Sequence, residues 1–305
     1  LPAAVKLSPK PSPGFVTRIS ARMLFLFRLF SWLPLPLLHN LGALLGWVAW
    51  LVSPTYRRRI RENLALAGLP DARNAAIVEA GKGVAELPKI WLRPKEELLA
   101  RVAQVTGWEH VEKARATGRG ILYLTPHLGC FEITAQYLAA KAGADGSTQP
   151  ITVLYRRPRQ DWLVPLMEQG RGMNLKLAPA DLSGVRRLMK ALKHGEATGM
   201  LPDQVPANGE GIWSPFFGRP AYTMTLAARL AEGGAAVLLT YAERLLYGAG
   251  YHIHFIPLSQ PLSGDLPARV AQINGEIENL VRRCPGQYNW GYNRYKVPAG
   301  VSAPP

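Results

Sequence analysis

The rhythm of apolar and polar positions changes twice along the 305-residue chain. Over 29–53 no Asp, Glu, Lys or Arg interrupts a run dominated by Leu, Trp, Ala and Val, which meets the roughly 20 residues a bilayer crossing needs. Pro34, Pro36, His39 and Asn40 interrupt this run, and Gly42 and Gly46 lower helix propensity in its second half. The pattern predicts an apolar helix near 19–32 carrying Arg22 and Arg28, a proline turn, and a second helix through Val52 that spans a membrane or lies in its plane. Helical patterns follow from Pro70 to about Ala103, broken at Pro88 and Pro94.

From Gly120 onward short apolar runs alternate with helical periods. Candidate strands are 121–124, 151–155, 174–177, 198–201, 236–241 and 252–256, and candidate helices are 132–142, 161–171, 182–193 and 223–232. Such alternation predicts an α/β fold with a mainly parallel or mixed central sheet and helices on both faces. The last two strands, joined around Gly248 and Gly250, read as an antiparallel hairpin at one edge. The chain divides into a membrane-attachment segment, 1–56, and an α/β domain, 57–305.

Composition narrows the function. With 48% hydrophobic residues and Gly and Pro spread without a repeat, the chain is neither disordered nor fibrous. Cys130 and Cys284 are too few for a disulfide framework, and no paired Cys or His spacing of the metal-binding kind occurs, so no metal is expected. The net charge of +15 draws anions, and Arg57, Arg58, Arg59 and Arg61 beside the apolar segment favour phospholipid over nucleic acid. These arginines favour a domain on the cytoplasmic side, though Lys6, Lys10, Arg18 and Arg22 on the other flank weaken the asymmetry.

Candidate chemistry collects after the apolar runs. In Thr125-Pro126-His127-Leu128-Gly129-Cys130-Phe131-Glu132, a histidine precedes a carboxylate by five positions. On one continuous helix these side chains would point about 140° apart, so they cooperate only if a helix starts between them. Strand, turn and helix then make His127 a general base and Glu132 the group that holds its tautomer. Cys130 is a rival nucleophile or a core filler. Arg156 and Arg171, each next to a strand, are candidates for binding anionic groups of a substrate or a developing oxyanion. Asp203 and Gln204 follow another apolar run and open onto the sheet edge of His127 if the two strands are parallel. Phe216, Phe217 and Tyr222 either line an acyl-chain groove or pack in the core. Arg186, Arg187, Lys190 and Lys193 form a solvated helix face or a dock for an acidic carrier protein. The aromatic and basic tail 288–296 reads as structural or interfacial packing, since no RNA-binding motif accompanies it.

These landmarks together resemble the lipid A biosynthesis acyltransferases, the late lauroyl or myristoyl transferases of the Gram-negative inner membrane. The resemblance rests on Arg61-Glu62-Asn63-Leu64-Ala65-Leu66, the HxxxxE of His127 and Glu132, Tyr155-Arg156, Gly170-Arg171 and Pro202-Asp203-Gln204. It continues through Pro215-Phe216-Phe217-Gly218 and Pro285-Gly286-Gln287-Tyr288-Asn289-Trp290. It implies a glycerolipid-acyltransferase-like fold and transfer of an acyl chain from acyl carrier protein to a hydroxyacyl hydroxyl of a lipid A precursor, at the cytoplasmic face of the inner membrane. By that analogy His127 is the base, Glu132 its partner and Arg171 a further site residue, with no metal or organic cofactor. Glycerol-phosphate or lysophospholipid acyl transfer, acylation of a mannosylated inositol lipid, and a non-catalytic basic protein on membrane or nucleic acid are the alternatives.

Overall fold

The computed structural model of the protein describes residues 13–144, 151–158, 160, 163, 164, 166, 167 and 175–304. Two apolar helices come first, α1 (Pro13–Trp32) and α2 (Leu35–Val52), separated at Leu33 and Pro34 as the sequence pattern suggests. Ser53 then accepts a hydrogen bond from the Tyr56 N–H and caps α3 (Pro54–Leu66). Three helices follow: α4 (Arg73–Ala85), α5 (Leu87–Leu92) and α6 (Lys95–Leu99).

The glycines that weaken α2 as an isolated helix bring it into backbone contact with α4. A Cβ on Gly46 would lie 2.1 Å from the Ile77 carbonyl oxygen, and one on Gly81 would lie 1.9 Å from that of Gly42. Only glycine lets the two backbones approach this closely.

Among the described residues the central sheet has seven strands: β1 (Val102–Thr106), β2 (Ile121–Leu124), β3 (Ile151–Tyr155), β4 (Leu175–Pro179), β5 (Ala197–Met200), β8 (Ala236–Arg244) and β9 (Tyr251–Pro257). Their spatial order is β1-β9-β8-β2-β5-β3-β4, and every neighbouring pair is parallel except β8 with β9. The sheet is therefore mixed, as expected. The β8/β9 hairpin is antiparallel as read from sequence but does not form the edge, because β1 pairs alongside β9.

All four β2 residues are buried, as a central strand covered on both faces requires. Ile121 and Tyr123 join a core with Val111 of α7 (Trp108–Ala116) and Ile133 and Leu138 of α8 (Phe131–Ala144). Leu122 and Leu124 face the other way. They pack with Leu188 of α9 (Leu182–Lys193), Ala227 of α10 (Leu226–Ala231) and Ile277 and Leu280 of α11 (Leu266–Arg283). Helices thus cover both faces.

Residues 211–224 depart from the sequence reading. A loop running into a helix was expected, and the chain instead forms an antiparallel pair, β6 (Gly211–Phe216) and β7 (Arg219–Met224). Phe217 and Gly218 turn it with positive φ of 46° and 74°, the twist a two-residue hairpin loop demands. Phe216, Phe217 and Tyr222 are buried in the core and not in a groove.

Candidate active site

Parallel pairing of β2 with β5 decides the site, because Leu124 lies in register with Met200 and the chain leaves both strands at the same edge. His127 sits in the turn after β2, and Asp203 in the turn after β5. His127 Nδ1 is 2.8 Å from Asp203 Oδ1, and the His127 backbone N–H donates to Oδ2 at 2.9 Å. Asp203 is buried (2% exposed), so its carboxylate needs both bonds. Burial by itself would raise the Asp203 carboxyl; the His127 ring and its hydrogen bonds, with help from Arg294, outweigh this and hold it below the usual carboxylate range.

An ionised Asp203 accepts from Nδ1–H, which leaves the lone pair on Nε2. Gln204 places its side-chain amide 3.0 Å from that Nε2 and donates to it. Phe131 packs edge-on against the imidazole with ring centroids 4.9 Å apart. The result is an oriented imidazole whose Nε2 is covered by one side-chain amide.

The structure gives Asp203, 76 residues distant, the Nδ1 position expected for Glu132. Glu132 does lie in the first turn of α8, as its spacing required, and is nearly buried. Arg156 follows β3 at the same sheet edge and is exposed to solvent. Arg171 lies outside the described residues.

The turn 125–130 is held by two segments, β8 and the 285–290 motif. Gly129 adopts φ of +62°, and a Cβ there would lie 1.9 Å from the Ala242 carbonyl oxygen, so only glycine fits between the turn and β8. The Cys130 N–H donates to Ala242 O at 2.8 Å, and the Gly129 N–H to Gln287 O at 3.1 Å. The Asn289 N–H donates to His127 O at 3.1 Å. The 285–290 motif is thus the clamp on the turn that carries His127. Burial above all, and the neighbouring Asp203 charge, keep the Tyr288 phenol neutral.

Sequence reasoning gave Asn63 no role. Its side-chain amide donates to Trp290 O at 2.8 Å and Tyr292 O at 3.2 Å, tying α3 to the clamp. The Tyr292 hydroxyl in turn accepts from the Val205 N–H, two positions beyond Asp203, at 3.0 Å. The signal was a half-buried Asn one position before the buried Leu64, where a polar side chain needs a partner.

Cys130 is buried against Ile133, with its thiol pushed well above the ordinary value by burial first and by Glu86 second. A thiol so held is not a nucleophile. Cys130→Ala is expected to fold and to keep turnover within about threefold of wild type in a steady-state assay, since it removes only a small packed side chain.

An imidazole held between a buried carboxylate and a side-chain amide suits activation of a hydroxyl for group transfer, and comparison with known proteins makes this an acyltransferase. A profile of the bacterial lipid A biosynthesis acyltransferases matches residues 16–297. The chain belongs to that family. It is 28% identical over 282 residues to the lipid A biosynthesis lauroyltransferase of Escherichia coli K12, covering 88% of this chain and 89% of the relative. It is 27% identical over 286 residues to the palmitoleoyltransferase of the same strain, covering 89% of each. It is 26% identical over 226 residues to the phosphatidylinositol mannoside acyltransferase of Mycobacterium tuberculosis H37Rv, covering 69% of this chain and 68% of the relative.

Proposed function

We propose that the protein moves a fatty acyl chain from acyl carrier protein to the hydroxyl of a hydroxyacyl chain on a lipid A precursor, with His127 as the general base. The observation that carries this reading is the His127 ring itself, with Nδ1 bonded to buried Asp203 and Nε2 left as the acceptor. The acceptor hydroxyl displaces the Gln204 amide from Nε2 and loses its proton there. Its oxygen attacks the thioester carbonyl, the tetrahedral oxyanion collapses, and the carrier thiolate leaves and takes the proton back from His127. Glu132, in the first turn of α8, is the second carboxylate of the reaction by family resemblance. Arg156 and Arg171 bind anionic groups of the glycolipid, and the displaced Gln204 amide is free to donate to substrate.

The basic face of α9 gives an acidic carrier a place to dock: Arg186, Arg187, Lys190 and Lys193 are exposed there. Attachment to the inner membrane, with the site on the cytoplasmic face, is part of the same reading. Its support is the helix α2, long and apolar enough to cross a membrane, and the exposure of Leu44, Leu45, Trp47, Val48 and Leu51 upon it. Phe25, Leu29 and Trp32 of α1 are exposed as well. A bilayer crossing would take α4, with its charged Glu79 and Lys82, down with α2, because the two backbones touch. An in-plane position, with the apolar face in lipid and Arg58 and Arg61 at the headgroups, avoids that cost.

Detergent-purified protein is to be incubated with mixed acyl-carrier thioesters, a tetra-acylated lipid A precursor, lysophosphatidic acid and a mannosylated inositol lipid, and the products weighed by mass spectrometry. Gain of one acyl chain on the lipid A precursor alone is the expected result. Acylation of either of the other lipids would reassign the acceptor, and no product on any would remove the proposal.

A further inference from the structure

On β9, Tyr251, Ile253 and Phe255 enter the core around β2, so His252 and His254 emerge from the opposite face of the sheet. The antiparallel register places Glu243 of β8 opposite His252 and Tyr241 opposite His254. His252, His254 and Glu243 thereby form a cluster in which one ligand-type atom from each lies within 4.8 Å of the others. The two imidazoles are 3.8 Å apart between centroids, and Tyr241 stacks on His254 at 4.5 Å. His254 Nε2 is buried without a hydrogen-bond partner, 3.5 Å from Glu243 Oε2 in a contact that lacks hydrogen-bond alignment. A buried, unsatisfied ring nitrogen facing a carboxylate and a second imidazole calls for a ligand.

We propose that His252, His254 and Glu243 bind a divalent transition-metal ion of the zinc class, with the fourth position open to water or an exchangeable ligand. Two imidazoles and one carboxylate are a donor set zinc accepts. Bonds of about 2.0–2.1 Å in tetrahedral geometry bring ligand atoms to about 3.3 Å from one another, a small closure from the observed spacing. Thr106 Oγ1, 2.7 Å from His252 Nε2, supplies the outer hydrogen bond: when Nε2–H donates to it, Nδ1 carries the lone pair for the metal. Arg283 at the end of α11 opposes a cation here, and the Glu243 carboxylate offsets it.

The sequence alone hides this site. His-x-His is two ligands, and the third arrives only through strand pairing. A bound ion would pin β9 to the stretch of β8 where Ala242 O accepts from the Cys130 N–H, beside the catalytic turn.

The test uses full-length protein without a histidine tag, stripped with chelator and titrated with Co²⁺ while its visible absorption is followed, then with Zn²⁺ in competition. The expected result is one Co²⁺ per chain with the bands of four-coordinate nitrogen and oxygen ligation, bleached by Zn²⁺. His254→Ala is expected to weaken binding by about 100-fold or more, Glu243→Gln to weaken it as well, and His110→Ala to leave it unchanged. Circular dichroism checks that each variant is folded, and Glu243→Gln serves if His254→Ala is not. Failure of the folded wild type to bind stoichiometrically would overturn the proposal, as would equal binding by His254→Ala or, where it does not fold, by Glu243→Gln.

Discussion

Asp203→Asn is expected to lower kcat by about 10³- to 10⁴-fold, the scale seen when the orienting acid of a serine-protease triad is replaced, with KM little changed. The size of the effect follows from two bonds. The His127 backbone N–H donates to Oδ2 and the ring approaches Oδ1, so an asparagine keeps its carbonyl on the backbone N–H and turns its NH₂ toward Nδ1. Nδ1 must then accept, the proton moves to Nε2, and the base is lost while the fold persists. His127→Ala should be about as damaging, and the double variant hardly worse than either, because groups acting as one unit are not additive. Steady-state kinetics alongside thermal melts separate this from unfolding; turnover near wild type in folded Asp203→Asn would exclude Asp203 as the orienting acid. Glu132→Gln measured beside it tells whether the second carboxylate acts in chemistry. The Asp203 carboxyl is depressed in the folded state, so its stabilising contribution is present above the unfolded value, about 3.9, and is lost as pH falls through the folded one.

That His127 follows a strand and Glu132 opens a helix was legible because the evidence is local: four apolar residues, a glycine where the chain must turn with positive φ, then helix. Asp203 was legible only conditionally. Its place at the end of an apolar run put it on the right sheet edge, but its pairing with Nδ1 depends on β5 lying next to β2, a fact of topology that no local pattern contains. The strand β1 escaped for another reason. Gln104 and Thr106 are exposed on a short edge strand, so Val102 and Val105 look like the tail of the preceding helical pattern. The hairpin β6/β7 was hidden by Pro215 and Pro220, which read as loop and sit opposite each other in the pair.

The other large effect is expected at Arg244, which sequence reading passed over. Arg244 Nε is 2.8 Å from Glu86 Oε1, and its Nη2 donates to Gly129 O at 2.9 Å, so one guanidinium joins a buried acid to the turn that carries His127. Glu86 also contacts His39 of α2 at 3.1 Å and accepts from the Tyr251 hydroxyl at 2.9 Å. Burial alone would raise the Glu86 carboxyl. The Arg244 charge, and then the His39 and Arg244 hydrogen bonds, bring it down to about 2 instead. Since the folded value lies below the unfolded 4.5, the pair stabilises the protein fully above that pH, and the contribution fades as pH falls toward about 2. Arg244→Met leaves Glu86 buried without its cation and is expected to cost about 3–5 kcal/mol, a fall of about 10 °C in Tm at neutral pH. Without the guanidinium, burial governs Glu86, its carboxyl titrates at higher pH, and the variant becomes relatively less damaged as the solution is acidified toward pH 4. Adding Glu86→Leu to Arg244→Met should restore part of the lost stability, because an apolar pair has no buried charge to solvate. It should restore less of the turnover, since Gly129 O still lacks its donor and the turn carrying His127 stays loose. Thermal melts across pH and kinetics on the same three proteins check both halves; recovery of stability and turnover together would mean that Arg244 acts on the fold alone.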